Sequence, residues 1–381
     1  MLRGMRFRGQ AARILPFEKM GDMRRLALLV LGAALAACSS TTPPTPSATP
    51  TSPSAMPKAT SSPLQQPAVT ATLATGLKAP WSVLPLGDSK ALITQRDTAQ
   101  ILLLDNGRTT VAATLKDVRP EGEGGLLGLA MRGDQVYVYY TAATDNRIAV
   151  LDFDGSKLSN ERTVFSGIPK GFIHNGGRIA FGPDGMLYVG TGETGQADLA
   201  QDRSSLGGKI LRLRPDGRPA PGNPDPQSPV YSWGHRNVQG LAWNSQGQLW
   251  ASEFGQNDVD ELNLIEPGNN YGWPLCEGPC DEAGMTNPKA TWSPTSTASP
   301  SGLAILDDVA WVAGLRGEAL FEIPLDGRKA SKPQPWFSQE YGRLRDVVAA
   351  PGGGLWVLTN NTDGRGTPKP KDDRLLAVRV P

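Results

Sequence analysis

A short motif recurs six times between Ala68 and the end of the chain. Each copy has an apolar run, a turn, and a second run that carries a large apolar or aromatic residue. These six marker residues are Leu92, Tyr137, Tyr188, Trp250, Trp311 and Trp356. Repeats of about 40 to 50 residues with several short strands are typical of propeller blades, and the aromatic and β-branched content argues against a helical solenoid. The pattern therefore predicts an all-β fold, a six-bladed β-propeller, over residues 68–381.

A further strand-like run follows each copy, and most of these runs end in an Asp-Gly or Pro-Gly pair. Such pairs favour the tight turns of β-hairpins. The last run, RLLAVRV, lies at the end of the chain, whereas AVTATLA opens the repeat region. We expect these two runs to share a blade, because that pairing closes the ring without an open sheet edge.

The overall charge restricts the class of partner. The 381-residue chain has 38 Lys and Arg residues against 37 Asp and Glu residues, a net charge of +1. Nonspecific nucleic-acid binding requires a basic surface. The charge balance therefore predicts no nucleic-acid partner.

The N-terminal region predicts an exported lipoprotein. Residues 1–37 contain Arg24, Arg25 and an apolar run that is too short to span a membrane, the pattern of a signal peptide. The run ends in Leu-Ala-Ala-Cys, which resembles a bacterial lipobox and predicts a lipidated Cys38. Residues 38–67 are rich in Ser, Thr and Pro and predict a disordered tether. We expect a periplasmic or cell-surface protein that meets the membrane only through its lipid; cleavage elsewhere would instead leave a free thiol at Cys38.

Two further cysteines, Cys276 and Cys280, lie in the sequence CEGPC. Export makes a disulfide between them plausible, with a structural role. A redox pair or a metal site is the alternative at this spacing, but no further cysteine supports either.

Charged and polar residues precede several first strands at the same phase of the repeat. They are Glu123, His174, Arg236, Asn237, Arg343 and Arg345. Equivalent positions of successive blades converge at one mouth of the central channel, so we expect these side chains to meet. An isolated histidine such as His174 would more often be an ordinary loop residue. The arginines, with Arg316 as a further candidate, predict an anionic ligand, because guanidinium groups suit carboxylates and phosphates.

An acidic segment, EFGQNDVDELN, follows the marker strand of the fourth copy. Its residues Asp258, Asp260 and Glu261 indicate a calcium site, because hard cations prefer oxygen ligands. A solvated acidic turn is an equally good interpretation of this segment alone.

The motifs GEGGLLG, HNGGRIAFGPDGMLYVGTGE, LGGKILRLRPDG, GHRNVQGLAW, SEFGQNDVDELNLIEPGNNYGWP and RLRDVV occur in this order. From about Leu77 to the end, the chain resembles the soluble quinoprotein sugar dehydrogenases, the glucose/sorbosone dehydrogenase family. The resemblance implies a six-bladed propeller that uses pyrroloquinoline quinone (PQQ) and Ca²⁺. It also implies oxidation of the C1 hydroxyl of aldose sugars to lactones, with electrons passed to an external acceptor.

The resemblance also implies catalytic roles. His174 matches the general base, and Glu193 stands where the family has an aspartate that orients this base. Arg236 matches a catalytic residue that contacts the quinone oxygens together with Asn237.

The remaining roles implied by the resemblance concern cofactor and metal. Arg316 stands where some members have a lysine, and Arg343 and Arg345 match paired arginines at the cofactor. The implied cofactor-binding set is Glu123, Arg236, Asn237, Arg316, Arg343 and Arg345.

Calcium is expected at backbone carbonyls of Gly255 and Gln256, with Asp260 and Glu261 as acidic candidates. Glu123 replaces a glutamine of the family, and its negative charge would favour the protonated form of His174.

Two other functions remain open from the sequence. One is a calcium-dependent propeller hydrolase of the lactonase type, which would rely on a channel set of Asn, Asp and Glu ligands. The other is a non-catalytic propeller that serves as a binding module.

Overall fold

The computed structural model describes residues 66–381. The predicted signal peptide, Cys38 and nearly all of the predicted linker lie outside these residues. The described strands form six antiparallel sheets, which confirms the predicted all-β, six-bladed propeller. Within residues 66–381 no helix is both long and apolar enough to cross a membrane.

The first three blades follow one another along the chain, after strand β1 (Ala68–Ala74). Blade 1 comprises β2 (Pro80–Gly87), β3 (Lys90–Gln95), β4 (Gln100–Asp105) and β5 (Arg108–Thr114). Blade 2 comprises β6 (Leu126–Arg132), β7 (Gln135–Thr141), β8 (Asn146–Phe153) and β9 (Leu158–Ile168). Blade 3 comprises β10 (Ile179–Phe181), β11 (Leu187–Gly190), β12 (Lys209–Leu213) and β13 (Val230–Trp233), with a 3₁₀ helix at Ala197–Ala200.

The last three blades complete the ring. Blade 4 comprises β14 (Val238–Trp243), β15 (Leu249–Glu253), β16 (Asp260–Ile265) and β17 (Ala290–Trp292), followed by a 3₁₀ helix at Thr295–Thr297. Blade 5 comprises β18 (Pro300–Leu306), β19 (Val309–Gly314), β20 (Leu320–Asp326), β21 (Lys329–Ala330) and β22 (Gln334–Trp336). Blade 6 comprises β23 (Leu344–Ala349), β24 (Leu355–Thr359) and β25 (Leu375–Arg379), and β1 is its fourth strand.

Ring closure follows the prediction. Strand β1 pairs antiparallel with β25, from Ala68 opposite Arg379 to Ala74 opposite Leu375. The first and last described strands thus share blade 6, which fastens the two ends of the propeller together.

The six marker residues explain why the repeat exists. Each is buried on the second strand of its blade and packs in the apolar layer shared with the following blade. Trp356 of blade 6, for example, packs with Val83, Ile93 and Leu104 of blade 1. A large residue recurs once per blade because each blade interface requires one, and burying a side chain of this size contributes about 1.5 to 3 kcal/mol.

The first strands of neighbouring blades contact one another around the channel. Loops that lead into first strands and loops that leave second strands therefore lie at the same end of the propeller, because the strands of each blade alternate in direction. This end carries the candidate site.

Candidate functional site

His174 lies in the loop before β10 with a left-handed backbone, at φ 53°. This conformation costs a non-glycine residue about 1 kcal/mol or more. Neighbouring glycines make room for it: a β-carbon at Gly192 would collide with the His174 carbonyl oxygen, and one at Gly176 would collide with the Gly190 carbonyl oxygen. Gly176 therefore allows the loop to pack on its own blade, and Gly177 allows it to pack on Leu127 of blade 2.

The imidazole of His174 is held at one nitrogen and left open at the other. Nδ1 lies 2.5 Å from Oε1 of Glu193, and the two side chains are 10% and 2% exposed. An ionised carboxylate only accepts hydrogen bonds, so Nδ1 carries the proton and Nε2 has a free lone pair. Nε2 has no hydrogen-bond partner in the described part of the chain. This nitrogen can accept a proton from a ligand.

Glu123 touches the His174 loop through the backbone. Its Oε2 accepts the His174 N–H at 2.8 Å, and its Oε1 lies 2.7 Å from Nη1 of Arg365. Burial raises the pKa of Glu123, but the His174 N–H and the Arg365 guanidinium outweigh burial and lower the pKa overall. Glu123 is therefore ionised at neutral pH, and Arg365 offsets part of its charge.

Arg236 is a buried cation without an ion pair among residues 66–381. Its Nε and Nη2 donate to Oε1 of Gln256 at 3.2 and 2.9 Å, and its guanidinium lies 5.5 Å from the ring centre of Trp273. Its carbonyl oxygen accepts the N–H of Glu193 at 2.9 Å, which joins the third and fourth blades beside His174. Burial lowers the pKa of Arg236, so an anionic ligand would stabilise its charge.

Arg343 and Arg345 share one carboxylate. Their Nη2 atoms lie 3.0 and 3.6 Å from Oδ2 of Asp363. Burial lowers the pKa of Arg345, and the nearby Asp363 carboxylate raises it by less than burial lowers it. The buried Nε of Arg343 has no hydrogen-bond acceptor in the described structure. The pair therefore retains both positive charge and donor capacity.

The two other predicted cofactor residues differ from each other. Asn237 is buried; its Oδ1 accepts the Gly176 N–H at 3.0 Å, while its buried Nδ2 has no acceptor within residues 66–381. Arg316 is exposed in the loop after β19. No hydrogen bond or ion pair joins Arg316 to another described residue, so the structure does not connect it to the other arginines.

The two acidic calcium candidates are already engaged by the protein. Asp260 accepts the N–H groups of Gly255 and Ser299 at 2.9 and 2.7 Å, and Glu261 accepts the Gly278 N–H at 2.7 Å. Burial raises their pKa values, to about 7 for Asp260 and about 8 for Glu261. In the described residues, no group of three or more His, Cys, Asp and Glu side chains is arranged to hold a metal ion. These two carboxylates hold loops together, and their role as calcium ligands stays a prediction.

The predicted backbone ligands, unlike the two carboxylates, have no hydrogen-bond partner among the described residues. The carbonyl oxygens of Gly255 and Gln256 accept no hydrogen bond from any described residue. Carbonyl oxygens without a hydrogen-bond donor are a ligand type that suits a hard cation such as Ca²⁺.

Four charged residues of the site were not predicted. Asp363 and Arg365 lie in the loop after β24, the equivalent in blade 6 of the loop that carries Glu193 in blade 3. Deeper in the channel, Arg178 forms a buried ion pair with Asp346, with Nη2 3.0 Å from Oδ1. The signal for the first two was available, because polar residues after second strands reach the same end of the propeller as those before first strands.

Comparison with known proteins identifies the family of the chain. The family model for glucose/sorbosone dehydrogenase matches residues 77–368. The PQQ-bound aldose sugar dehydrogenase from Streptomyces coelicolor superposes with a TM-score of 0.80 at 54% identity, over 83% of this chain and 98% of that one.

Two curated relatives are similar over much of the chain. The aldose sugar dehydrogenase YliI of Escherichia coli is 28% identical over 326 residues, or 75% of this chain and 88% of that protein. Quinoprotein glucose dehydrogenase B of Acinetobacter calcoaceticus is 30% identical over 275 residues, or 61% of this chain and 57% of that protein. Because the family model covers residues 77–368, the chain belongs to the glucose/sorbosone dehydrogenase family.

Proposed function

We propose that the protein is a PQQ-dependent dehydrogenase that oxidises the C1 hydroxyl of aldose sugars to lactones. The observation that carries the proposal is the free Nε2 of His174, oriented by Glu193 at 2.5 Å. The same end of the propeller holds three buried arginines: Arg236, which forms no ion pair with a described residue, and Arg343 and Arg345, which share Asp363. The names of the similar proteins support the same reaction class.

The arginine set and its neighbours fit the cofactor. PQQ carries three carboxylates, and Arg236, Arg343 and Arg345 offer guanidinium groups that suit carboxylate oxygens. Two buried donors without acceptors in the described structure, Asn237 Nδ2 and Arg343 Nε, also fit an oxygen-rich ligand. Arg316, which is exposed, would contribute through a long-range charge. When bound, PQQ supplies the acceptor for the hydride that leaves C1 of the sugar.

His174 serves as the general base in this proposal. Its Nε2 removes the proton of the C1 hydroxyl while the C1 hydride leaves, so the hydroxyl oxygen becomes the lactone carbonyl. Glu193 keeps the proton on Nδ1 before the reaction and stabilises the imidazolium afterwards, as a buried carboxylate does for other catalytic histidines. A positioned base of this kind contributes about 10² to 10⁴-fold to the rate.

We further propose Gly255 and Gln256 as the calcium-binding residues, through their carbonyl oxygens. Ca²⁺ would act there as a Lewis acid on the reacting group. Asp260 and Glu261 would support the site by shaping its loops, since their carboxylate oxygens already accept backbone N–H groups.

The two alternative functions have less support. A lactonase-type hydrolase would need a cluster of side-chain oxygen ligands, and the acidic candidates here are occupied by backbone donors. A binding module would not require His174 to keep a left-handed backbone and an open nitrogen, both of which have an energetic cost.

The cellular setting is proposed from the sequence alone. The N-terminal pattern supports export and a lipid anchor at Cys38, in the periplasm or on the cell surface. An external electron acceptor would then reoxidise the cofactor between turnovers.

The direct test is to add PQQ and Ca²⁺ to the purified protein and to measure dye reduction with a panel of aldoses. We expect sugar-dependent reduction that requires PQQ. Absence of quinone binding at micromolar concentrations would refute the assignment, and lactone hydrolysis without quinone would favour the hydrolase.

A further inference from the structure

Glu277 binds a loop of the site through a single oxygen. Its Oε1 accepts four consecutive backbone N–H groups, from Gln256, Asn257, Asp258 and Val259, at 2.6, 2.8, 2.9 and 3.2 Å. Successive N–H groups that point at one oxygen form an anion-binding nest. The backbone of residues 255–259, which we call the ligand loop, is therefore wound around this carboxylate.

Glu277 lies between two cysteines that are joined by a disulfide. Cys276 and Cys280 form a disulfide with a Cα–Cα distance of 6.0 Å, so residues 276–280 form a cyclic disulfide loop. A disulfide across so short a segment restricts the positions that Glu277 can reach.

The disulfide loop packs directly on the ligand loop. A β-carbon at Gly255 would collide with the Val259 carbonyl oxygen and would lie 2.6 Å from Oε1 of Glu277. Gly278 has φ +81°, and its Cα faces the side chain of Val259 with no room for a β-carbon. The fit between the two loops depends on these two glycines.

The ligand loop connects Glu277 to the buried cation of the site. Gln256, the first residue of the nest, accepts two hydrogen bonds from Arg236, at 3.2 and 2.9 Å. The free carbonyl oxygens of Gly255 and Gln256 belong to the same loop. Gln256 thus connects Glu277, through its backbone N–H, to the Arg236 guanidinium, through its side-chain oxygen.

We infer that Glu277, fixed by the Cys276–Cys280 disulfide, is a positioning residue that orders the ligand loop and through it Arg236. The inference deepens the proposed function, since the ligands of this loop are those proposed above for PQQ and Ca²⁺. Glu277 itself need not touch substrate or cofactor. Outer residues that orient ligand groups typically contribute about 10- to 100-fold to metal affinity or activity.

The test compares three variants of the full chain. Glu277→Leu removes the acceptor, and Glu277→Gln keeps an oxygen at the same position without the charge. Glu282→Ala is the matched control, because Glu282 is a nearby exposed acidic residue whose side chain forms no hydrogen bond or ion pair with residues 66–381.

The first measurement is hydrogen exchange of the amides of residues 256–259 in the protein without added PQQ or Ca²⁺. We expect about 10-fold faster exchange in Glu277→Leu, a smaller increase in Glu277→Gln, and none in Glu282→Ala. This readout does not depend on catalysis, so it tests the loop even where the proposed function fails.

The second measurement is the Ca²⁺ concentration for half-maximal dye reduction at saturating PQQ. For Glu277→Leu we expect an increase of about 10- to 100-fold, with kcat recovered at high Ca²⁺. A double substitution, Cys276→Ser with Cys280→Ser, should change both readouts in the same direction by a smaller factor.

Three results would overturn the inference. They are unchanged exchange in Glu277→Leu, an equal effect of Glu282→Ala, and loss of kcat that high Ca²⁺ does not restore. If the doubly substituted protein fails to fold, the Glu277 variants still decide, because they leave the disulfide intact.

Discussion

The chain has two histidines. Each forms a pair with a glutamate of its own blade, and the two blades are neighbours. His174 precedes β10 and meets Glu193 through Nδ1; His235 precedes β14 and meets Glu253 through Nδ1, at 2.8 Å. The sequence separations are 19 and 18 residues. The blade repeat thus places a histidine before the first strand and its carboxylate after or at the end of the second strand.

The two pairs differ at the other ring nitrogen. His235 is 0% exposed, its Nε2 lies 2.8 Å from Oγ of Ser232, and its ring stacks on Tyr271 at 4.7 Å. Nε2 of His174, in contrast, has no partner in the described residues. A buried carboxylate beside a histidine is therefore not evidence of catalysis. The open Nε2 distinguishes a base from a structural histidine.

The largest effect is expected from His174→Gln. Loss of the base should lower kcat by about 10² to 10⁴-fold, because no other described group offers a free imidazole nitrogen at this position. Steady-state dye reduction measures kcat, and a titration with PQQ should give an affinity close to that of the wild type. A wild-type kcat would contradict the assigned role.

Glu193→Gln should have the next largest effect on the rate. The amide cannot stabilise the imidazolium and can donate to Nδ1, which favours the wrong tautomer, so we expect kcat to fall by about 10- to 10³-fold. The same substitution in the other pair, Glu253→Gln, is the comparison. Glu253→Gln should lower the free energy of unfolding and should lower kcat by a smaller factor than Glu193→Gln does. Equal losses of kcat in the two variants would argue against the distinction between the two pairs.

His235→Gln should reveal the structural role of the second pair. It removes a buried stack on Tyr271 and disturbs two buried hydrogen bonds, so we expect the free energy of unfolding to fall by about 2 to 4 kcal/mol. Denaturant unfolding measures the loss, with His174→Gln as the matched control. The expectation fails if His235→Gln is as stable as the wild type.

The smallest effect concerns the charges around His174. Glu123 is ionised at neutral pH because the His174 N–H and Arg365 lower its pKa against the effect of burial. Its negative charge favours the imidazolium, so Glu123→Gln should move the acid limb of the kcat/KM–pH profile to lower pH. Arg365→Gln leaves that charge without its partner and should move the limb to higher pH. The shift in Arg365→Gln should be the smaller of the two, a fraction of a pH unit, because Arg365 is exposed to screening and Glu123 is not. Shifts in the same direction would contradict this electrostatic account.

The sequence predicted the inner part of each blade but, apart from β1 of blade 6, not its outer edge. The first three strands of a blade carry the periodic apolar residues, as in β7 and β8, and these were identified. Outer strands such as β5 and β9 expose most of their residues, with burial limited to a few positions. Because both of their faces meet solvent, their sequence has no alternating apolar pattern to detect.

For the candidate site, the sequence predicted the residues before first strands but not those after the second strand of blade 6. Residues before first strands, such as His174 and Arg343, share one phase of the repeat and could be grouped from the sequence. Asp363 and Arg365 come after a second strand, where this grouping did not extend. Asp260 was interpreted from its charge as a calcium ligand, which stays a prediction, and the fold also supplies it with two backbone donors. Backbone donors are not visible in a sequence, so the occupation of a carboxylate cannot be predicted from it.

The central claim is that His174 Nε2 removes the proton as the sugar is oxidised, and a single-turnover experiment tests it most directly. PQQ-loaded protein is mixed with an aldose without dye or oxygen, and the quinone absorbance is followed over time. We predict reduction of one quinone per chain in the wild type. His174→Gln should bind the same amount of quinone and reduce it more slowly, by the factor found for kcat. A quinone that stays oxidised in the wild type with every aldose, or one that His174→Gln reduces at the wild-type rate, would contradict the account.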